Sequence, residues 1–158
     1  MGLDMYLYAK KFVASAKWET EEECAKLKEV ANLMNGSDFI MEDEHSVQFA
    51  EITLQLAYWR KANQIHRFFI DECGNGKDDG QDIYVCREDL QKLLELCETV
   101  MNDKSKAEEL LPTRSGFFFG STEYDEWYYK NLEDTIPVLQ KILKDAPEDW
   151  EFEYHPSW

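Results

Sequence analysis

The pattern of hydrophobic and polar positions predicts strands near both ends of the chain, with helices between them. Residues 3–13 are rich in Tyr, Leu, Phe and Val and lead into a polar turn, which favours a strand. Residues 150–154 alternate strictly between apolar and polar side chains, as a half-buried strand does. We expect this segment to join the N-terminal strand in one sheet. Two further strands are predicted at residues 46–56 and 83–85.

Helical spacing of apolar residues predicts four helices, of which the clearest covers residues 88–101. Its inward positions are Leu90, Leu93, Leu94, Cys97, Val100 and Met101. An earlier helix is predicted to begin at a capping box formed by Thr20 and Glu23 and to end at Asn35 and Gly36. An acidic loop is expected to follow it at residues 38–45.

The other two predicted helices flank the centre of the chain. Residues 58–70 have apolar side chains at helical spacing and lead into a Gly- and Asp-rich loop. The last helix is expected to follow Thr122 as its N-cap, with Asp125 three residues later. Pro137 lies inside it and is expected either to kink the helix or to break it, because proline has no N–H for the helical ladder.

Segregated strands and helices, without a regular strand–helix–strand alternation, predict an α+β fold. The sheet is expected to be antiparallel or mixed and to pack against about four helices. The chain has 158 residues, of which 44% are hydrophobic, so it is long enough for one sizeable core. We therefore expect a single domain over residues 1–158.

The charge balance restricts the classes of partner. The chain has 17 Lys and Arg against 33 Asp and Glu, a formal net charge of -16, and this charge repels the phosphates of nucleic acids and anionic membranes. Direct binding to nucleic acid or to a membrane is therefore not expected. The N-terminus has no basic segment followed by an apolar one, and no apolar run approaches the roughly 18 residues of a membrane span. We expect a cytoplasmic protein.

The sequence contains no recognisable catalytic or metal-binding pattern. Its four cysteines and three histidines lack the spacing of zinc or redox motifs, so neither a metal nor another cofactor is predicted. The Asp-rich loop at 71–82 fits a calcium loop poorly. Glu123, Asp125 and Glu126 have no nucleophile spaced to partner them. Enzymatic activity stays open, but these features favour a binding role, and no residue is predicted to be catalytic.

A first candidate ligand site is the block from Trp59 to Arg67, which concentrates basic and amide groups in an acidic chain. On a helix Trp59, Asn63 and His66 would lie together and offer a stacking surface beside hydrogen-bonding groups. Arg60 and Arg67 could grip a phosphate or a carboxylate. The alternative is that Trp59 and His66 are core residues and that the arginines pair with surface carboxylates.

A second candidate is the segment 112–129, an aromatic loop with three phenylalanines between Gly116 and Gly120 that runs into a predicted helix start. Polar groups surround this apolar run, and the following helix start attracts anions. The loop either lines a site or forms a tight turn around packed phenylalanines. The residues predicted to contact a ligand here are Arg114, Ser115, Phe118, Ser121, Thr122, Glu123, Tyr124 and Tyr128.

Three segments carry a resemblance to a family of small, uncharacterised, acidic proteins of bacteriophages and prophages. They are the opening Met1 to Leu7, the block Tyr58 to His66, and the stretch from Ser115 through Tyr129. The resemblance implies a phage setting and assigns no role to any residue.

In that setting, the leading hypothesis is an accessory protein that binds a small, planar, anionic, nucleotide-derived ligand, such as a host immune signal that it would sequester. The alternative is an acidic inhibitor that binds a host protein, for example as a DNA mimic. A small hydrolase is a third possibility, and the chain is also open to forming a homo-oligomer.

Overall fold

A computed structural model describes residues 2–15, 21–34, 36 and 48–158. The predicted cap at Thr20, the stop at Asn35 and the acidic loop at 38–45 lie outside these residues. The described residues form an α+β fold, as the sequence predicts.

The described strands form a four-stranded antiparallel sheet in the order β2-β1-β4-β3. They are β1 (Asp4–Ser15), β2 (Gln48–Arg60), β3 (Ile83–Val85) and β4 (Glu151–Ser157). The N- and C-terminal strands are therefore neighbours at the centre of the sheet, which confirms the prediction made from the alternation at residues 150–154. β3 pairs with β4 at the edge, with Tyr84 opposite Glu153.

Five α-helices lie among the described residues. They are α1 (Glu21–Leu33), α2 (Asn63–Phe68), α3 (Arg87–Asn102), α4 (Ala107–Leu110) and α5 (Glu126–Asp145). A π-helical turn, Phe69–Cys73, extends α2, and a 3₁₀ turn, Lys104–Lys106, precedes α4. No helix among the described residues is long and apolar enough to cross a membrane.

The helix predicted over residues 58–70 is wrong in its first half. β2 continues through this region with Trp59 buried and Tyr58 and Arg60 exposed. The chain turns at Lys61, which has a φ of 58° and whose N–H donates to the Leu3 carbonyl at 2.8 Å. Positive φ is uncommon outside glycine, so side-chain spacing does not reveal this turn.

The start of α5 also differs from the prediction. The N-cap is Asp125, whose carboxylate accepts a hydrogen bond from the Tyr128 N–H at 3.0 Å, and not Thr122. Pro137 lies within α5, and the helix does not break there.

The sheet has an inner face packed against helices and an outer face. Alternate residues of β1 and β4 are buried on the inner side, as is Leu3 just before β1; the strand residues are Met5, Leu7, Ala9, Phe152 and Tyr154. Trp59 is also buried, and its indole N–H donates to the Thr135 hydroxyl of α5 at 2.8 Å. This bond places α5 on the inner face.

The chain divides into two compact units. One contains Met1–Ala9 and Leu54–Trp158, and it holds the core described above. The other, Lys10–Thr53, contains α1, in which Leu27 is buried, and a stacked pair of rings, Phe12 and Phe49, with centroids 5.2 Å apart. A single domain over residues 1–158 stays a prediction.

Candidate functional site

The two predicted candidate segments meet in the structure, and Asn63 joins them. Its side-chain amide donates to the carbonyls of Phe119 at 3.2 Å and Ser121 at 2.8 Å. Its amide oxygen accepts a hydrogen bond from the Arg114 N–H at 3.1 Å. Because Asn63 is buried and all three bonds go to loop backbone, it holds the aromatic loop in place and is not available to a ligand.

His66 lies fully buried beneath the loop in a hydrogen-bonded chain. Its Nδ1 is 2.8 Å from the Tyr154 hydroxyl, and its Nε2 is 3.1 Å from the Asp78 carboxylate. A carboxylate only accepts, so Nε2 carries the proton and Nδ1 accepts from Tyr154. Burial lowers the pKa of His66, although Asp78 acts in the opposite direction. The neutral imidazole is therefore a structural link at neutral pH.

Two arginines that were predicted to contact a ligand, Arg67 and Arg114, are engaged by carboxylates of the chain itself. Arg114 lies 3.2 Å from Asp78 and 3.4 Å from Asp71. Arg67 also pairs with Asp71, at 3.1 Å, and donates to the Thr113 carbonyl at 3.1 Å. These contacts match the alternative in which the arginines pair with carboxylates.

Trp59 does not form a stacking surface. Its side chain is buried, its indole N–H is bonded to Thr135, and its ring packs at 6.1 Å from the Phe69 ring. The proposed cluster of Trp59, Asn63 and His66 on a ligand-facing helix is therefore corrected: all three are core residues in this structure.

A cleft of about 310 Å³ opens beside these residues. Its lining comprises Arg60, Lys61, Gln64, Gly120, Ser121, Glu123, Asp125, Trp127, Tyr128 and Asn131. Four of these, Arg60, Ser121, Glu123 and Tyr128, belong to the set predicted from the sequence. The end of β2, the aromatic loop and the start of α5 thus converge on one concavity.

The cleft combines an exposed aromatic ring with two cations. Trp127 is 77% exposed, an unusual position for so large an apolar surface. Arg60 is half exposed and lies 3.7 Å from Asp4. Lys61 is exposed, and its ammonium pairs with none of the carboxylates that the structure describes.

Hydrogen-bonding groups complete the lining. The side-chain amide of Gln64 donates to the Tyr128 carbonyl at 3.2 Å, and the Ser121 hydroxyl accepts from the Glu123 N–H at 3.0 Å. Asn131 is half-buried in the cleft wall, and its amide bonds to no other residue in the described part of the chain. It can donate to or accept from a bound molecule.

Gly120 brings the loop close to the floor of the cleft. It has a φ of 92°, and a Cβ at this position would lie 3.1 Å from the Lys61 Cβ. Glycine adopts this conformation without strain, whereas a side chain here would crowd Lys61.

The other predicted contacts are distributed around the loop. Phe119 packs inward, with its ring edge-on to His66 at 5.1 Å, whereas Phe117 and Phe118 project outward. Ser115 and Thr122 are exposed, and the Tyr124 ring packs against Tyr128 at 4.9 Å. None of Ser115, Phe118, Thr122 and Tyr124 lines the cleft.

Sequence reasoning missed Lys61, Gln64, Trp127 and Asn131. The exposure of Trp127 could have been predicted from the helical spacing. Tyr128, Leu132 and Leu139 occupy the buried face of α5, and Trp127 does not belong to that face. Lys61 could not be found in this way, since its position depends on the unpredicted turn.

Among the described residues, no group of three or more His, Cys, Asp or Glu side chains could hold a metal ion.

Comparisons with protein-family models, curated proteins and solved structures found no match.

Proposed function

We propose that the protein binds a small anionic ligand with a planar ring, of the nucleotide class, in the cleft between the end of β2 and the start of α5. The observation that carries this proposal is the presence of the exposed Trp127 indole and the cations of Arg60 and Lys61 in one concavity. A nucleobase stacks on an indole, and a phosphate pairs with guanidinium and ammonium groups.

The remaining lining suits the polar edges of a nucleotide. Asn131 offers a donor and an acceptor, and Glu123 offers a carboxylate that can accept from ribose hydroxyls or an exocyclic amine. The cleft volume of about 310 Å³ lies at the lower end of the range for small-molecule sites, roughly 300–1,000 Å³. A ligand of mononucleotide size fits this volume better than a large dinucleotide.

The resemblance to phage proteins supplies a biological role for such binding. A phage accessory protein that holds a nucleotide-derived immune signal in the host cytoplasm would lower its free concentration without chemistry. We propose this sequestering, anti-defence role for the protein.

A direct experiment has two stages. Compounds released by denaturing the purified protein are identified by mass spectrometry, and the protein is then titrated calorimetrically with mononucleotides, cyclic nucleotides and nicotinamide-derived signals. Each ligand is recovered afterwards and examined by chromatography. Sequestration predicts binding with the ligand recovered intact, whereas a hydrolase would return products.

Matched variants locate the site. Trp127→Leu and the pair Arg60→Gln with Lys61→Gln should each weaken binding by about 1–3 kcal/mol, because they remove a stacking partner or charged hydrogen-bond donors. Tyr84→Leu and Lys141→Gln remove an exposed ring and an exposed cation elsewhere and should leave binding unchanged. Equal binding by wild type and Trp127→Leu, or no binding of any nucleotide at millimolar concentration, would contradict the proposal.

A further inference from the structure

The outer face of the sheet presents a cluster of aromatic rings that the proposed cleft does not use. Tyr6 and Tyr8 of β1 alternate with the buried residues of that strand and therefore point outward. Tyr58 of β2 and His155 of β4 lie on the strands either side of β1 and also face outward. We call these four residues the tyrosine face.

The rings of the tyrosine face form one continuous surface. The Tyr6 ring is stacked on Tyr8 with centroids 6.0 Å apart, and it lies 5.3 Å from Tyr58 and 6.1 Å from His155. Tyr58 is 47% exposed, and Tyr6 and Tyr8 are half-buried. These rings are thus held by the strands of a sheet and not by a loop.

Carboxylates border these rings. Asp4 accepts a hydrogen bond from the Tyr58 hydroxyl at 2.5 Å, and Asp82 lies 2.5 Å from His155 Nδ1. Glu153, also on the outer side of β4, stands opposite Tyr84. The chain's own Arg60 lies 3.7 Å from Asp4, so this edge of the surface already accommodates a guanidinium.

A surface of tyrosine rings bordered by carboxylates favours the binding of cations. A guanidinium or ammonium is attracted to the face of an aromatic ring and to a nearby carboxylate, and arginine uses both contacts most often. A single-stranded nucleic acid would also stack on such rings. Its phosphates, however, would meet Asp4, Asp82 and Glu153 in a chain with a net charge of -16.

We propose that the tyrosine face is a docking surface for an arginine-rich segment of a partner protein, whose guanidinium groups lie over Tyr6, Tyr8 and Tyr58 and pair with the bordering carboxylates. The rings of this surface are separate from the cleft's indole, because Trp127 belongs to α5 and α5 packs on the inner face of the sheet. Arg60 adjoins both surfaces, since it lines the cleft and lies 3.7 Å from Asp4.

The test uses the full chain and a peptide of about twelve residues that alternates arginine with serine. Calorimetry should show binding that weakens as ionic strength rises. A peptide with citrulline in place of arginine keeps the side-chain shape without its charge and should not bind. An oligouridine of similar length is the nucleic-acid probe.

Variants then distinguish binding at the tyrosine face from non-specific attraction to the negative charge of the chain. The double variant Tyr6→Leu with Tyr8→Leu should weaken peptide binding by about tenfold, since each ring contributes a cation–π contact. The double variant Glu108→Gln with Glu109→Gln removes two exposed charges from α4 and should leave binding unchanged, as should Trp127→Leu. If the tyrosine variant does not fold, the ring resonances of wild-type Tyr6, Tyr8 and Tyr58 should shift on peptide addition while those of Tyr129 stay in place.

Several results would overturn the inference. They are binding of the arginine and citrulline peptides with equal affinity, tighter binding of the oligouridine than of the arginine peptide, and peptide binding that the glutamate variant weakens as much as the tyrosine variant. Loss of nucleotide binding in Trp127→Leu concerns the cleft alone and leaves this prediction unaffected.

Discussion

At the residue scale, two buried polar side chains fix the geometry of the aromatic loop. Asn63 satisfies three backbone groups of the loop, and His66 connects the Tyr154 hydroxyl with the Asp78 carboxylate. Buried polar groups are tolerated when they are fully hydrogen-bonded. Both residues were predicted as ligand contacts because they are polar, but their polarity serves the fold.

Replacing Asn63 by alanine tests this structural role. Asn63→Ala leaves the Phe119 and Ser121 carbonyls and the Arg114 N–H without their partner, so we expect a loss of about 2–4 kcal/mol in the free energy of unfolding. Asn102→Ala, which changes an exposed amide at the end of α3, should cost less than about 0.5 kcal/mol. Urea denaturation of both variants measures the difference, and equal stabilities would refute the role assigned to Asn63.

The burial of neutral His66 predicts a pH dependence of stability. Its pKa is lowered in the folded state from an ordinary value of 6.5, so the unfolded state binds the proton at higher pH. The stability that His66 contributes is therefore present above pH 6.5 and is lost as the pH falls through that value, with a slope of up to about 1.4 kcal/mol per pH unit.

Denaturation between pH 7.5 and 5.5 measures this effect. We expect wild type to lose stability with acid more steeply than His66→Gln, which cannot take up that proton. Identical slopes in the two proteins, or a His66 titration midpoint above 6.5 by NMR of the folded wild type, would count against the buried neutral imidazole.

At the scale of elements, the sequence predicts the helices and strands in which buried side chains recur at regular spacing. α3 and β4 bury one face regularly, so their spacing indicates both the element and its inward side. The path of β2 was not predictable, because residues 58–70 also fit helical spacing and the strand ends at a positive φ of Lys61 that no glycine marks. The place of Lys61 in the cleft depends on that turn, so this lining residue could not be predicted from the sequence.

The start of α5 gives a matched test between two candidate caps. Asp125 accepts the Tyr128 N–H, whereas Thr122 lies three residues before it in the loop. Asp125→Ala should lower stability by about 1 kcal/mol, the usual cost of removing an N-cap. Thr122→Ala should change stability by less than about 0.5 kcal/mol. Thermal unfolding of both proteins distinguishes them, and a larger loss in the threonine variant would support the cap that the sequence suggested.

At the scale of the whole molecule, the positions of the charged side chains matter more for ligand binding than the net charge does. The chain is strongly acidic, and Arg60 and Lys61 line the cleft together with Glu123 and Asp125, while Arg67 and Arg114 are paired with Asp71. The sequence presented the block and the aromatic loop as two separate candidates, which Asn63 joins in the structure. It did not reveal that the meeting buries Trp59 and leaves Trp127 at the surface, because burial is decided by the sheet and α5 together.

The central claim is that a nucleotide stacks on Trp127, and the indole N–H resonances of the five tryptophans measure it directly. In a two-dimensional proton–nitrogen spectrum, the Trp127 signal is identified by its absence in Trp127→Leu. On titration with the nucleotide that shows the strongest calorimetric signal, we expect this signal to shift progressively to saturation. The buried Trp59 indole, bonded to Thr135, should stay in place. A titration in which the Trp59 signal shifts and the Trp127 signal does not would contradict the proposed site.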